Sequence, residues 1–285
     1  MTRLYAAILA GLLCAAVLTA QAKQPPKAKS QKEVDAIMAI QNAPDGPSRL
    51  TAIDNLLTKF ADTEFKPMVL LMAAQTAQQM NDFEKMVVYA ERTLDADPNS
   101  YGAMLMLANG YALRTREFDL DKDEKLKKAN DYANKALELL KTAEKPNPQI
   151  TDDQWAAAKK DMQAQAHEAL GNAAMDQKKY DAAIAEFKTS MDVAATPDPA
   201  TMLRLANAYV DSGKPDAAMA MVDRVLAMPD AHPAVKSVAR NLKAKLQNAN
   251  GAKPAGTAPA PQAAPSTQPA PAAQPAPPTV EPKKP

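Results

Sequence analysis

Residues 104–111 read Met104-Leu105-Met106-Leu107-Ala108-Asn109-Gly110-Tyr111, and the pattern returns twice further along the chain. It recurs as Ala169-Leu170-Gly171-Asn172-Ala173 and as Leu205-Ala206-Asn207-Ala208-Tyr209. A looser copy holds Ala73-Ala74 in the same place. Between the successive pairs 73–74, 107–108, 170–171 and 205–206 the steps are 34, 63 and 35 residues. A fixed period of about 34 residues, with one long step that reads as a repeat plus an insertion, is the mark of a stacked array of supersecondary units. Composition agrees with helices. Ala fills 60 of 285 positions, Gly only 8 and aromatic residues 5%, which favours helix, and no run of alternating or β-branched residues reads as a strand.

Each of these segments opens a unit whose second half follows as another amphipathic run. These are residues 82–98, 129–139, Tyr180-Asp181-Ala182-Ala183-Ile184-Ala185-Glu186-Phe187, and 215–226. Turn signals separate them: Asp45-Gly46-Pro47, Asn81-Asp82, Asp97-Pro98-Asn99-Ser100, Thr196-Pro197-Asp198-Pro199, Gly213-Lys214-Pro215 and Met228-Pro229. Asp82 and Ser100 read as N-caps. Thr151 with Gln154 reads as a capping box, and Asp198 as a cap followed by Pro at the first helical position. About eleven helices result. Small residues at Ala108, Gly171 and Ala206 are placed to let the two helices of a unit approach. Ala129, Ala183 and Ala218 are placed to admit the neighbouring helix, with Phe83, Tyr111, Tyr180, Phe187 and Tyr209 filling gaps.

On these motifs the chain resembles tetratricopeptide repeat proteins. The resemblance implies an all-α fold, a right-handed superhelix of antiparallel helical hairpins, with repeats at about 67–100, 101–140, 164–197 and 199–232 inside a helical domain of residues 31–248. Two departures stand out. Tyr111 to Ala129 spans 18 residues where the motif has nine, so an insert is expected around residues 116–125. The second is the stretch from Ala136 to Leu170, 20 residues longer than the repeat allows; a loop over 141–150 and a helix lengthened from Thr151 to Asp176, roughly 39 Å at 1.5 Å per residue, account for it, and that helix is expected to divide the array.

The ends carry other signals. Arg3, an uncharged run from Leu4 to Ala20, and Ala20-Gln21-Ala22 have the layout of a secretory signal peptide over residues 1–22. The protein is therefore expected to be exported, to a periplasm. An uncleaved inner-membrane anchor and secretion are the alternatives, and membrane contact is expected only if this segment is retained. Cys14 follows Leu12 and Leu13 rather than the small residues a lipoprotein requires. Residues 23–30 read as a flexible leader. From 251 to 285 there are 11 Pro and 10 Ala, so residues 249–285 are expected as a disordered Pro/Ala-rich tail that buries too little to order itself.

Charge and chemistry exclude more than they offer. Lys plus Arg is 34 and Asp plus Glu 33, so no basic excess draws in nucleic acid. Cys14 is the only cysteine, and His167 and His232 are the only histidines, too few for a thiolate or histidine metal centre. Asp119-Leu120-Asp121-Lys122-Asp123-Glu124 looks like the opening of a calcium loop, but Glu124 stands where the loop needs Gly and Asn130 where it needs Glu. An acidic, helix-capping turn is the reading kept. His167 is read as a packed core histidine, His232 as a cap and Trp155 as an anchor. No phosphate loop or nucleophile elbow is present, and no catalytic, metal or cofactor residues are assigned; the chain is read as a non-catalytic scaffold.

In what the resemblance implies, the first helix of each repeat lines a concave groove for a peptide or partner helix. The positions concerned are Leu71, Gln75 and Gln78; Leu105 and Asn109; Glu168, Asn172 and Met175; and Leu203, Asn207 and Val210. Leu105, Glu168 and Leu203 stand where a carboxylate-capturing version of the repeat carries Lys or Arg, so capture of an acidic C-terminus is not expected. A membrane-associated envelope assembly or secretion factor is the alternative function. Deleting residues 251–285 should leave the melting temperature within a few degrees of the parent chain, because the segment buries almost nothing; thermal denaturation by circular dichroism reads this directly.

Overall fold

The computed structural model describes residues 26–146 and 149–251. The expected signal segment and most of the tail therefore lie outside the described residues. Among the described residues there are eleven helices and no strand. They are α1 Gln31–Gln41, α2 Gly46–Lys59, α3 Lys66–Gln79, α4 Phe83–Ala96, α5 Tyr101–Arg114, α6 Lys122–Thr142, α7 Asp152–Asp176, α8 Tyr180–Val193, α9 Pro199–Asp211, α10 Pro215–Ala227 and α11 Pro233–Gly251.

The helix starts are written in the sequence. Asp45, Asp82, Ser100, Thr151 and Asp198 each accept a backbone N–H from three residues ahead, at Ser48, Lys85, Ala103, Gln154 and Thr201. Thr151 and Gln154 complete the reciprocal box. Proline occupies the first turn of α2, α3, α9 and α10, where its missing N–H costs nothing.

Three hairpin turns share one device. Asn81 (φ 58°), Lys178 (φ 58°) and Gly213 (φ 74°) are left-handed. The N–H of the next residue then reaches back to Ala77, Ala174 and Tyr209 at 2.9, 2.9 and 2.8 Å. This is the six-to-one closure that satisfies a helix's last carbonyls and reverses the chain. It joins α3 to α4, α7 to α8 and α9 to α10.

Helices pack mainly with their chain neighbours: α1 on α2, α3 on α4, α5 on α6, α7 on α8, α9 on α10, with α11 closing the far end on α10. Accordingly the core is a chain of local clusters, as nearest-neighbour stacking requires. The small residues act as expected: Ala108, Ala183, Ala206 and Ala218 are fully buried, and Ala129 nearly so. A Cβ on Gly171 would lie 2.6 Å from the ring of Phe187, so the α7–α8 approach needs glycine. Phe83 and Tyr111 meet edge to face, with centroids 6.2 Å apart.

Several expectations need correction. α7, with 25 residues, does not divide the array. It packs extensively on α5 and α6, while α3–α5 and α7–α9 touch only sparingly. Residues 27–30 are tied to the domain: the Lys27 N–H donates to Glu64 at 3.0 Å and the Lys29 ammonium to Asp62 at 2.6 Å. Glu33, at 1% exposure, accepts from the Thr63 hydroxyl and the Lys29 N–H, both at 2.6 Å. These bonds, Thr63 first, hold its carboxyl below the usual range. His167 is half-buried and not a core residue: its Nδ1 lies 2.8 Å from Glu186 Oε2, joining α7 to α8. Trp155 does anchor the fold, its indole N–H donating to the Ala143 carbonyl at 3.2 Å beneath the α6–α7 loop. His232 Nδ1 accepts the Ala234 N–H at 3.2 Å, at the start of α11.

Replacing Gly171 with Ala should lower stability by about 1–3 kcal/mol through overpacking. Shortening the partner ring, in Gly171→Ala with Phe187→Leu, should cost less than the sum of the two single changes, as read by urea denaturation.

Candidate functional site

The first helices of successive hairpins, α3, α5 and α7, stand side by side and leave a cleft of about 470 Å³ between them. Gln75 and Gln78 come from α3, Gly102, Leu105, Met106, Asn109 and Leu113 from α5, and Met162, Gln165 and Glu168 from α7. Of the sequence-derived groove residues, the structure thus gathers Gln75, Gln78, Leu105, Asn109 and Glu168. The floor is aliphatic and the walls carry amides, which can both donate to and accept from an extended backbone.

Toward one end the cleft continues past Gln78, Asn109 and Leu113 to Phe83, Met86 and Arg114. Toward the other it passes Gln165 and Glu168 to a second hollow of about 310 Å³ containing Asp161, Ser190, Met191, Asp198 and Thr201. Glu168 is not free there. Its carboxylate meets the Arg204 guanidinium at 2.7 Å and accepts from the Thr201 hydroxyl at 3.2 Å, so it ties α7 to α9.

The remaining candidates go elsewhere. Leu203 is buried in the α9–α11 core, and Met175 packs half-buried beside Ala174, Ala183 and Phe187. Leu71 presses against Gly102 between α3 and α5, its Cδ2 3.3 Å from where a Cβ would sit. Asn207 and Val210 are exposed on α9, outside these two hollows.

The three asparagines that recur in register are not equivalent. The Asn109 amide donates to the Leu105 carbonyl at 3.0 Å and to the Gln165 carbonyl on α7 at 3.4 Å. Asn172 is 9% exposed, and its Nδ2 is buried without a hydrogen-bond partner. Asn207 is solvent-facing. Uneven stacking is the cause: α5 and α7 close on each other, whereas α9 stands off from α7. No ladder of exposed amides therefore runs along the face.

Sequence reasoning missed Gly102, Met106, Leu113, Met162 and Gln165. Gln165 had a signal, since it sits three residues before Glu168 on the same helical stripe. The others depend on how α5 and α7 are rotated toward each other, which no repeat spacing reports.

The carboxylates of the acidic insert are engaged by a lysine. Lys125 bonds Asp119 at 3.0 Å and Asp121 at 2.9 Å, and among the described residues no group of acidic, histidine or cysteine side chains is arranged to hold a metal ion. Among them, too, no helix is long and apolar enough to cross a membrane.

The comparisons with known proteins agree with this architecture. Residues 174–246 match the family model described as tetratricopeptide repeat. The crystal structure of a thermophilic TPR protein of Thermus thermophilus is similar at a TM-score of 0.50 and 17% identity, covering 74% of this chain and 95% of that one. A tetratricopeptide repeat protein from Parabacteroides merdae superposes at 0.42 with 16% identity, over 78% and 88% of the two chains. No curated protein sequence matches the chain. The match is to residues 174–246, and the fold is the helical solenoid of such repeats, an architecture that commonly mediates protein–protein interactions and presents extended concave surfaces for them.

Asn109→Ala should cost about 0.5–1.5 kcal/mol, the worth of a neutral hydrogen bond. Asn207→Ala should stay within about 0.5 kcal/mol as a surface change. Chemical denaturation of the two variants side by side makes the comparison, and equal losses would contradict the inequivalence described above.

Proposed function

We infer that the protein is an exported, non-catalytic scaffold that receives an extended peptide or a partner helix in the cleft between α3, α5 and α7. The observation that carries this reading is the continuity of that cleft across three hairpins. Apolar side chains line its floor at Leu105, Met106 and Met162, and amides line its walls at Gln75, Gln78, Asn109 and Gln165. A surface of this kind takes backbone hydrogen bonds from a ligand and buries its apolar side chains, which is the requirement for peptide recognition. Export rests on the sequence layout of residues 1–22, and the periplasm is the compartment it points to.

The test is site-directed photo-crosslinking in the producing cell. A photoreactive residue at Gln78 or Met106, in the cleft, should give adducts of one discrete mass. The same residue at Val88, exposed on α4, should give none. Adducts at Val88 with none at Gln78 and Met106 would overturn the groove reading.

A further inference from the structure

The insert between α5 and α6 has no counterpart in the 34-residue repeat, and it presents the two most exposed large apolar side chains described. Phe118 is 92% exposed and Leu120 107%. They do not dangle from a loose loop, because every second residue is held. Glu117 accepts from the Lys178 ammonium at 2.8 Å, across the turn between α7 and α8. Asp119 accepts from Lys125 Nζ at 3.0 Å and from the Arg116 N–H at 3.2 Å, and Asp121 pairs with the same Lys125 at 2.9 Å. With residues 117, 119 and 121 tied back, 118 and 120 are turned out. Large apolar groups kept in water by a braced backbone mark a contact surface.

A matching recess lies just before the insert, where α5 ends. This hollow, about 210 Å³, is lined by Phe83, Met86, Gly110, Leu113 and Arg114, with Gln78, Asn81 and Asn109 on its rim. Leu113 is half exposed. The Arg114 guanidinium lies 5.8 Å from the centroid of the Phe83 ring, and it has no carboxylate within ion-pair distance among the described residues. Residues 116–121 carry three carboxylates against one guanidinium; Lys178 and Lys125 pair with them, yet the Glu117 and Asp121 side chains stay 58% and 54% exposed and open to a second cation. An apolar prong with acidic flanks thus stands four residues from an apolar recess edged by a cation.

The ties to Lys125 and Lys178 hold the prong in the open, so it does not fill the recess of its own chain. A second copy can supply it. Because prong and recess are neighbours on one edge, a two-fold axis through that edge would let each chain insert into the other, the self-complementary arrangement typical of dimers. We propose that the protein self-associates in this way, with Phe118 of each copy entering the Phe83–Leu113 recess of the other and its acidic flank meeting Arg114. The recess shares Gln78, Asn109 and Leu113 with the central cleft, so pairing would close one end of the groove. The proposal stands whether or not that groove holds a peptide.

Sedimentation equilibrium tests it, on the full chain and on the chain lacking residues 1–22, so that association through the apolar N-terminus is told apart. Both should approach the mass of two chains as concentration rises. Phe118→Ser with Leu120→Ser should weaken association by about tenfold or more, the effect expected of losing buried apolar anchors. Arg114→Glu should weaken it as well. Circular dichroism of these exposed-site variants should match the parent. A single-chain mass throughout, prong variants that associate like the parent, or a ladder of ever larger species would each overturn the proposal.

Discussion

Close approach of two helices at a small residue is the constraint on which the rest of the molecule depends. At Gly171 the Phe187 ring occupies the space a methyl group would need, and the buried alanines at 108, 129, 183, 206 and 218 do the same work less severely. Once two helices lie this near, their apolar faces are spent on each other. Each hairpin then turns its remaining faces to the hairpins before and after it. Stability is distributed through a row of local clusters, and the chain lengthens by adding units.

The groove follows from that arrangement and from its one irregularity. Identical hairpins stacked at equal intervals would present identical positions along the concave side. Here α5 and α7 close on each other while α3 and α9 stand further from them. The unevenness buries Asn172, half-buries Asn109 and leaves Asn207 in water. It also gathers the amides of Gln75, Gln78, Asn109 and Gln165 around one central cleft. Glu168, at the cleft's edge, is occupied with Arg204 and Thr201, so its role there is to set the position of α9 against α7.

The insert belongs to the same logic from the other side. A solenoid tolerates additions in its turns, because a turn residue contributes little to the stacking, and turns are where such proteins acquire particular surfaces. In this chain the addition replaces the left-handed closure that joins α3 to α4, α7 to α8 and α9 to α10. Three carboxylates brace it, and it holds Phe118 and Leu120 away from the protein.

How much was legible beforehand divides along a physical line. The sequence by itself determined whatever depends on residues close along the chain. Helix starts were readable at Asp82, Ser100, Thr151 and Asp198, because a cap is a bond to a backbone N–H three residues ahead. The period and the small residues that close each hairpin were readable, because one unit is assembled from about 34 consecutive residues. Only the tertiary structure decided how the units sit on one another: that α7 joins the array where division was expected, that His167 pairs with Glu186, that Leu203 faces the core, and that Gln165 shares a wall with Gln75. Those outcomes turn on helix rotations of a fraction of a turn and on distances between units far apart in the chain. The energy deciding them is summed over many weak apolar contacts, none of which leaves a mark at a fixed spacing in the sequence.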